Sequence, residues 1–353
     1  MRKGKRLIAW IMAVVMLFTI CVFDGNGTAE AAATTPVAKH GRLSVKGADL
    51  VDSKGNKFQL RGISTHGINW DVGSPYVNKK AFKTLRDDWG VNAIRLAMYT
   101  EEYNGYCSGG SQAKLRKLVD KGVGYATDLG MYAIIDWHIL SDGNPNKNKS
   151  QAKKFFTTMA KKYKNNKNVI YEICNEPNGC SWKEIKSYAT DIIKTIRKYD
   201  KKAVIIVGTP TWSQLGTDGT SNEVADSPIK GYKNIMYSLH FYASEWAHNE
   251  YLPAKVAYAR KKKLPIIVSE FGLSPASGDG AINKASADKW MKRLNKYNIS
   301  YFCWSLSNKN ESASLLKPST KKTSGWKSGD LSTAGKYIKK KYLARKKALG
   351  KKA

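Results

Sequence analysis

The amino-acid sequence predicts an α/β chain folded as a (β/α)8 TIM barrel with an N-terminal β-hairpin. Three observations carry that expectation. Eight apolar, β-branched runs recur along the chain, and segments with apolar residues spaced at three and four lie between them. No glycine-rich phosphate loop follows the first run, which counts against an open doubly wound sheet. With 353 residues and 42% hydrophobic content, the chain can build one large core.

The elements follow in order. Residues 1–33 open on "MRKGKR", continue through the 17-residue apolar run "LIAWIMAVVMLFTICVF" and end near "AEAAA". That layout predicts a secretory signal peptide cleaved near Ala31 or Ala33, hence a secreted protein with no membrane segment after cleavage. A barrel domain is then expected over residues 34–343. It begins with "GRLSVKGADLVDSKGNKFQLRG", which alternates apolar and polar residues around "SKGN" and predicts the hairpin. The eight strand runs are "FQLRGIS", "NAIRLAM", "YAIIDWHI", "VIYEICNE", "AVIIVGT", "IMYSLHFY", "PIIVSEFG" and "ISYFCWSLS". Helical segments such as "NKKAFKTLRDDWG" and "SWKEIKSYATDIIKTIRKYD" separate them, several closing on Gly or Asn. A last helix around residues 331–346 is expected to fray into a basic C-terminal tail, residues 344–353.

The formal charge is +32, and +30 without residues 1–33. Such a balance first suggests nucleic acid. The lysines are scattered, however, and no zinc finger, basic zipper or RNA-binding signature is present. We therefore expect no nucleic-acid partner, a solvated monomer, and weak attraction of the tail to anionic polymers. Residues 317–353 hold thirteen basic residues and one acid. Cys107, Cys174, Cys180 and Cys303 match no zinc spacing, and their pairing is left open.

Barrel enzymes build their sites at the C-terminal ends of the strands. Polar and aromatic residues gather there on almost every run. His66 and Trp70 follow the first, and Arg95 and Tyr99 end the second. Asp136, Trp137 and His138 end the third, Asn175 and Glu176 the fourth. His240 and Tyr242 end the sixth, Glu270 the seventh and Trp304 the eighth. Singly, each has a structural explanation; a core alone would not require them together. Glu176 and Glu270 would face one another across the mouth as the paired carboxylates of glycoside hydrolysis, about 5–5.5 Å apart for a retaining enzyme. Asn175 and a nearby His suit a Glu176 whose proton is managed, and Arg95 and Tyr242 suit an ionised, aimed Glu270. Trp70, Trp212 and Trp304 offer flat faces for sugar rings.

The motifs "LRGISTHGINW", "IIDWHILSDGNPN", "VIYEICNEPNG", "LHFYA", "IIVSEFG" and "WSLSNKNESASLLKP" resemble those of family-5 glycoside hydrolases. The likeness is to bacterial endo-β-1,4-glucanases of the cellulase type, over about residues 36–343. The resemblance implies a retaining mechanism on β-1,4-glucan, with Glu176 as acid/base, Glu270 as nucleophile and no metal or organic cofactor. It implies that Asn175 bonds the sugar 2-hydroxyl, that His138 and His240 line the bond-breaking site, and that Trp304 forms its floor. His66, Trp70, Lys309 and Glu311 match positions that bind glucan on its non-reducing side. Phe271 and Ser305 depart from the family's frequent Trp and Asn, and "SEWAHNEY" replaces a smaller glycine-containing loop. Trp246 in that segment either contacts the leaving-group side or simply packs. The alternatives are a β-mannanase or xylanase on the same scaffold, or a wall-associated carbohydrate-binding protein without catalysis.

Overall fold

A computed structural model describes residues 34–350; the expected signal segment, residues 1–33, and residues 351–353 lie outside the described residues. Helix α1 (Pro36–His40) leads into an antiparallel pair, β1 (Ser44–Lys46) and β2 (Asp49–Val51). The reversal falls at Gly47–Ala48, one turn earlier than "SKGN", because Gly47 takes the left-handed φ of 59° that a two-residue hairpin loop needs. "SKGN" makes the next turn. Asp52 Oδ1 accepts from the Lys54 and Asn56 amides there, and a single Val51–Lys57 bridge follows.

The eight apolar runs become β3 (Arg61–Thr65), β4 (Ala93–Tyr99), β5 (Tyr132–His138), β6 (Val169–Glu172), β7 (Ile205–Val207), β8 (Ile235–Tyr242), β9 (Ile266–Gly272) and β10 (Tyr301–Leu306). They pair in parallel in chain order and close through β10 onto β3, as the sequence predicts. Around them lie α2 (Lys79–Trp89), α3 (Gln112–Asp128), α4 (Lys149–Tyr163), α5 (Trp182–Arg197), α6 (Pro210–Ser213), α7 (Glu223–Asp226), α8 (Trp246–Lys261), α9 (Lys284–Tyr297) and α10 (Thr333–Gly350). Side-chain caps set several starts: Asn78 accepts from the Ala81 amide, and Ser181 and Glu184 form a reciprocal capping box. Gly90 and Asn298 end α2 and α9 in the left-handed conformation.

The alternation of strand side chains delivers the polar groups to one end. On β5, Tyr132 and Ile134 fill the barrel interior, while Ala133, Ile135 and Trp137 pack against the helices. Asp136 and His138 then continue the inward face toward the C-terminal mouth. β9 breaks this rhythm. Ile267 is interior, so strict alternation would turn Ser269 and Phe271 inward and Glu270 outward. The ladders show an extra β9 residue on both sides: Ser238 and His240 face Ile267 and Glu270, while Tyr301 and Cys303 face Val268 and Phe271. This bulge re-aims the strand. Ser269 and Glu270 both bond groups of the mouth, and Phe271 stacks on Phe241 in the outer layer, ring centroids 5.3 Å apart. The Phe271 departure therefore sits behind the site.

The basic tail is a correction. Residues 344–350 do not fray; they are the last turns of α10. Tyr342 is fully buried and donates to the Gly62 carbonyl at 2.8 Å, and Arg345 Nε donates to Gln59 Oε1 at 2.8 Å. Gln59 is itself buried under the barrel. Arg345→Ala should leave its amide oxygen without a donor and cost about 1–3 kcal/mol. A lowered denaturation midpoint with an unchanged slope would show this; an unaltered midpoint would return the segment to the status of a tail. The four described cysteines are free thiols, Cys174 and Cys303 buried.

Candidate active site

The site is built around Arg95, which alternation on β4 turns into the barrel with no exposed surface. Its Nε donates to Glu172 Oε2 at 2.7 Å, Nη1 to Glu270 Oε2 at 2.9 Å and Nη2 to Asn175 Oδ1 at 2.6 Å. Asp136 Oδ2 lies 3.0 Å from Nη2. One guanidinium thus faces three carboxyl groups. Burial opposes its charge, but Asp136, Glu172 and Glu270 together hold it firmly protonated. The acids pay for the crowding unequally: burial pushes Asp136 up to about 7 and raises Glu172, in both cases against the pull of Arg95. Asp136 Oδ1 and Glu172 Oε1 are buried and find no donor among the described residues.

Glu270 is held at both oxygens. Tyr242 donates its hydroxyl to Oε1 at 2.8 Å, opposite the Arg95 bond to Oε2. Glu176 lies in a different environment. It follows β6 by four residues, on the turn into "NEP", and its side chain is 14% exposed. Its Oε1 meets His240 Nδ1 at 2.8 Å, and His240 Nε2 meets Ser269 Oγ at 2.9 Å. Burial raises the Glu176 carboxyl to about 8, past the opposing attraction of Arg95. Burial also lowers His240 to about 4 and His138 and His66 to about 3, so all three rings are neutral near pH 7. One atom each of Glu176, His240 and Glu270 lies within 4.8 Å of the others. A metal there would have to displace the hydrogen bonds that already hold these carboxyls.

The other anticipated residues surround this pair. Asn175 accepts from Arg95 and donates one amide hydrogen to the Ile139 carbonyl at 3.0 Å, leaving one for a ligand. Trp304 lies flat on His138, 5.2 Å between centroids at 15°, with His66 tilted against it at 5.0 Å. Tyr99 stands edge-on to His138 and stacks with Trp70 at 4.6 Å. His66 Nε2 lies 3.6 Å from Glu311 Oε1, whose other oxygen pairs with Lys309 Nζ at 2.5 Å. Trp212 stands apart, 43% exposed, on a left-handed run with φ of 55°, 51° and 62° at Thr211, Trp212 and Ser213. That strained turn is pinned by Trp212 N to Pro177 O at 3.0 Å and by Ser213 Oγ to Asn175 O at 2.7 Å. The bonds flank Glu176 on both sides.

Glu172 and Ser269 escaped the sequence reading. Glu172 had a signal: it lies two residues beyond Ile170, an interior side chain, and so takes the inward face of "VIYE". Ser269 had the same kind of signal, because alternation from the interior Ile267 turns it inward.

Two carboxyl groups at this spacing, one held at both oxygens by Arg95 and Tyr242 and one raised so that it keeps its proton, can cleave a glycosidic bond; the chain is a glycoside hydrolase. A family model described as cellulase (glycosyl hydrolase family 5) matches residues 51–310. An endoglucanase of Clostridium saccharobutylicum is 46% identical over 341 residues, 95% of this chain and 72% of that protein. Endoglucanase A of Butyrivibrio fibrisolvens is 45% identical over 303 residues, 85% and 68% of the two. The catalytic domain of a Thermobifida fusca endoglucanase, solved with cellotetraose, is 36% identical with a TM-score of 0.79, covering 88% of this chain and 99% of that one. The chain belongs to glycosyl hydrolase family 5, the cellulase family.

Proposed function

We propose that this enzyme is an exported endo-β-1,4-glucanase that cuts internal bonds of cellulose or mixed-linkage β-glucan with retention of configuration. The observation that carries the reading is the pair Glu176 and Glu270, with one carboxylate oxygen of each within 4.8 Å of the other and with different partners: Arg95 and Tyr242 on Glu270, a neutral imidazole on Glu176. Glu270, aimed by Tyr242 and Arg95, attacks the anomeric carbon while Glu176 gives its proton to the leaving oxygen. Glu176 then takes a proton from the water that hydrolyses the glycosyl-enzyme. Asn175 offers its free amide hydrogen to the 2-hydroxyl of the attacked sugar. Trp304 supplies the floor, and His66, Trp70, Lys309 and Glu311 hold the non-reducing side. The relatives' endoglucanase names support the substrate class, and the leader-like sequence of residues 1–33 supports export.

Reducing-sugar release from carboxymethyl cellulose, galactomannan and xylan tests the substrate. The glucan should be turned over far faster; preference for either other polymer would replace this reading. The pH profile tests the roles. The acid form of Glu176 is the active one in the first step, so kcat/KM should be full below, and fall through, pH about 8. An alkaline limb that stays in place after Glu176→Gln would belong to another group.

A further inference from the structure

We propose that Trp246, braced by Tyr251, is an additional sugar platform on the leaving-group side of the cleft, beyond Trp212. This rests on the glucanase reading above. Trp246 is 69% exposed at the first position of α8. The buried face of that helix is His248, Leu252, Lys255, Val256 and Ala259, so Trp246 has no part in the core. An exposed indole becomes a candidate platform when a second aromatic ring fixes it and it stands beside a substrate cleft. It is held by Tyr251, edge-on at 5.8 Å and 82°.

Two sets of contacts place this pair at the mouth. Tyr242, which holds Glu270, turns directly into α8: the Glu245 amide donates to its carbonyl at 3.0 Å, and its own amide donates to His248 Nδ1 at 2.9 Å. A hydrogen-bonded turn keeps the Cα atoms of Tyr242 and Glu245 within about 7 Å, so that of Trp246 lies within about 11 Å. On the other side, Tyr251 covers Gly219, where a Cβ would come 2.8 Å from its ring. Gly219 belongs to the loop that follows Trp212, and the buried Lys255 of α8 donates to the Gln214 and Asp218 carbonyls of the same loop. Tyr251, which braces Trp246, therefore packs on the loop that Trp212 leads into.

Its side of the cleft is set by the barrel. The Trp212 turn is bonded to the residues flanking Glu176, the group that protonates the leaving oxygen. β7, which carries it, lies opposite β3, which carries His66 and Trp70, in the ring of eight strands. α8 follows β8, the neighbour of β7. The proposed path of the glucan chain runs from β3 across to β7, past Trp212 and on toward Trp246 in the neighbouring β8 sector. The stacked face of a glucose ring fits an exposed indole, as in the aromatic platforms that bind rings without reading their polar edges.

The experiment compares cellohexaose with an aryl β-cellotrioside, whose leaving group carries no sugar. In Trp246→Ala the ratio of the two kcat/KM values should fall about fivefold, consistent with the loss of one aromatic contact. Trp246→Phe should restore most of it. Reducing-end 18O labelling should show fewer cuts that release two or more glucoses as the leaving fragment. An equal fall on both substrates would make Trp246 a support of the loop, and no change in the ratio would remove it from the binding path; either result overturns the platform. A wild-type enzyme inactive on both substrates would instead overturn the glucanase reading itself.

Discussion

Glu270→Gln is expected to reduce kcat on β-glucan by about 10^4-fold or more, with the folded state retained. The substitution keeps shape and removes the nucleophile. Its effect on the surroundings follows from the same contacts. Tyr242 and Arg95 each donate to one oxygen of Glu270, at 2.8 and 2.9 Å. An amide supplies one oxygen and one NH2 group, so one of the two donors loses its acceptor. Arg95 retains Glu172 and Asp136 and is not left as an unpaired buried charge. The circular dichroism spectrum and binding of cellotetraose should therefore survive while turnover does not. Hydrolysis within about tenfold of the wild type would remove Glu270 from the covalent step.

How much of this was legible in the sequence depends on how far local pattern fixes geometry. The eight strands were readable because each is a compact apolar run bounded by turns, and parallel strands need such runs. The polar mouth was readable because residues at the ends of those runs have one face to go to. Glu172 was overlooked although alternation from Ile170 points to it, since the Asn175–Glu176 pair beyond the strand drew the assignment. Glu270 was assigned from its chemistry, and alternation would have turned it toward the helices. Only the β9 bulge brings it inward, and a bulge is a property of register between strands, invisible in one of them. The C-terminal helix was misjudged for a related reason. "ARKKALGKKA" looks solvated in isolation, and the partners of Arg345 are Gln59 and Asn295, far away in the chain. Trp246 was left between packing and binding because exposure cannot be read from a residue type.

Glu176→Ala should separate proton transfer from nucleophilic attack. On glucan, whose leaving group is a sugar alkoxide, loss of the general acid should lower kcat by about 10^2- to 10^4-fold. On a dinitrophenyl β-cellobioside the leaving group departs without a proton, so formation of the glycosyl-enzyme on Glu270 should be little affected. Its hydrolysis then becomes slow, since water has lost its base. Azide needs no base and is expected to enter the space left by the missing carboxyl, beside His240. It should restore turnover and yield a β-glycosyl azide, the product of two inversions. The configuration decides between the two carboxylates. An α-azide from this variant would mean that azide had replaced the nucleophile, exchanging the roles of Glu176 and Glu270. The environments argue for the β product: Glu270 is tied to a guanidinium that favours its charge, and Glu176 rests against a neutral imidazole with its carboxyl raised to about 8. A group that keeps its proton at neutral pH can give it away, and one whose two oxygens are held by Tyr242 and Arg95 is aimed to attack carbon.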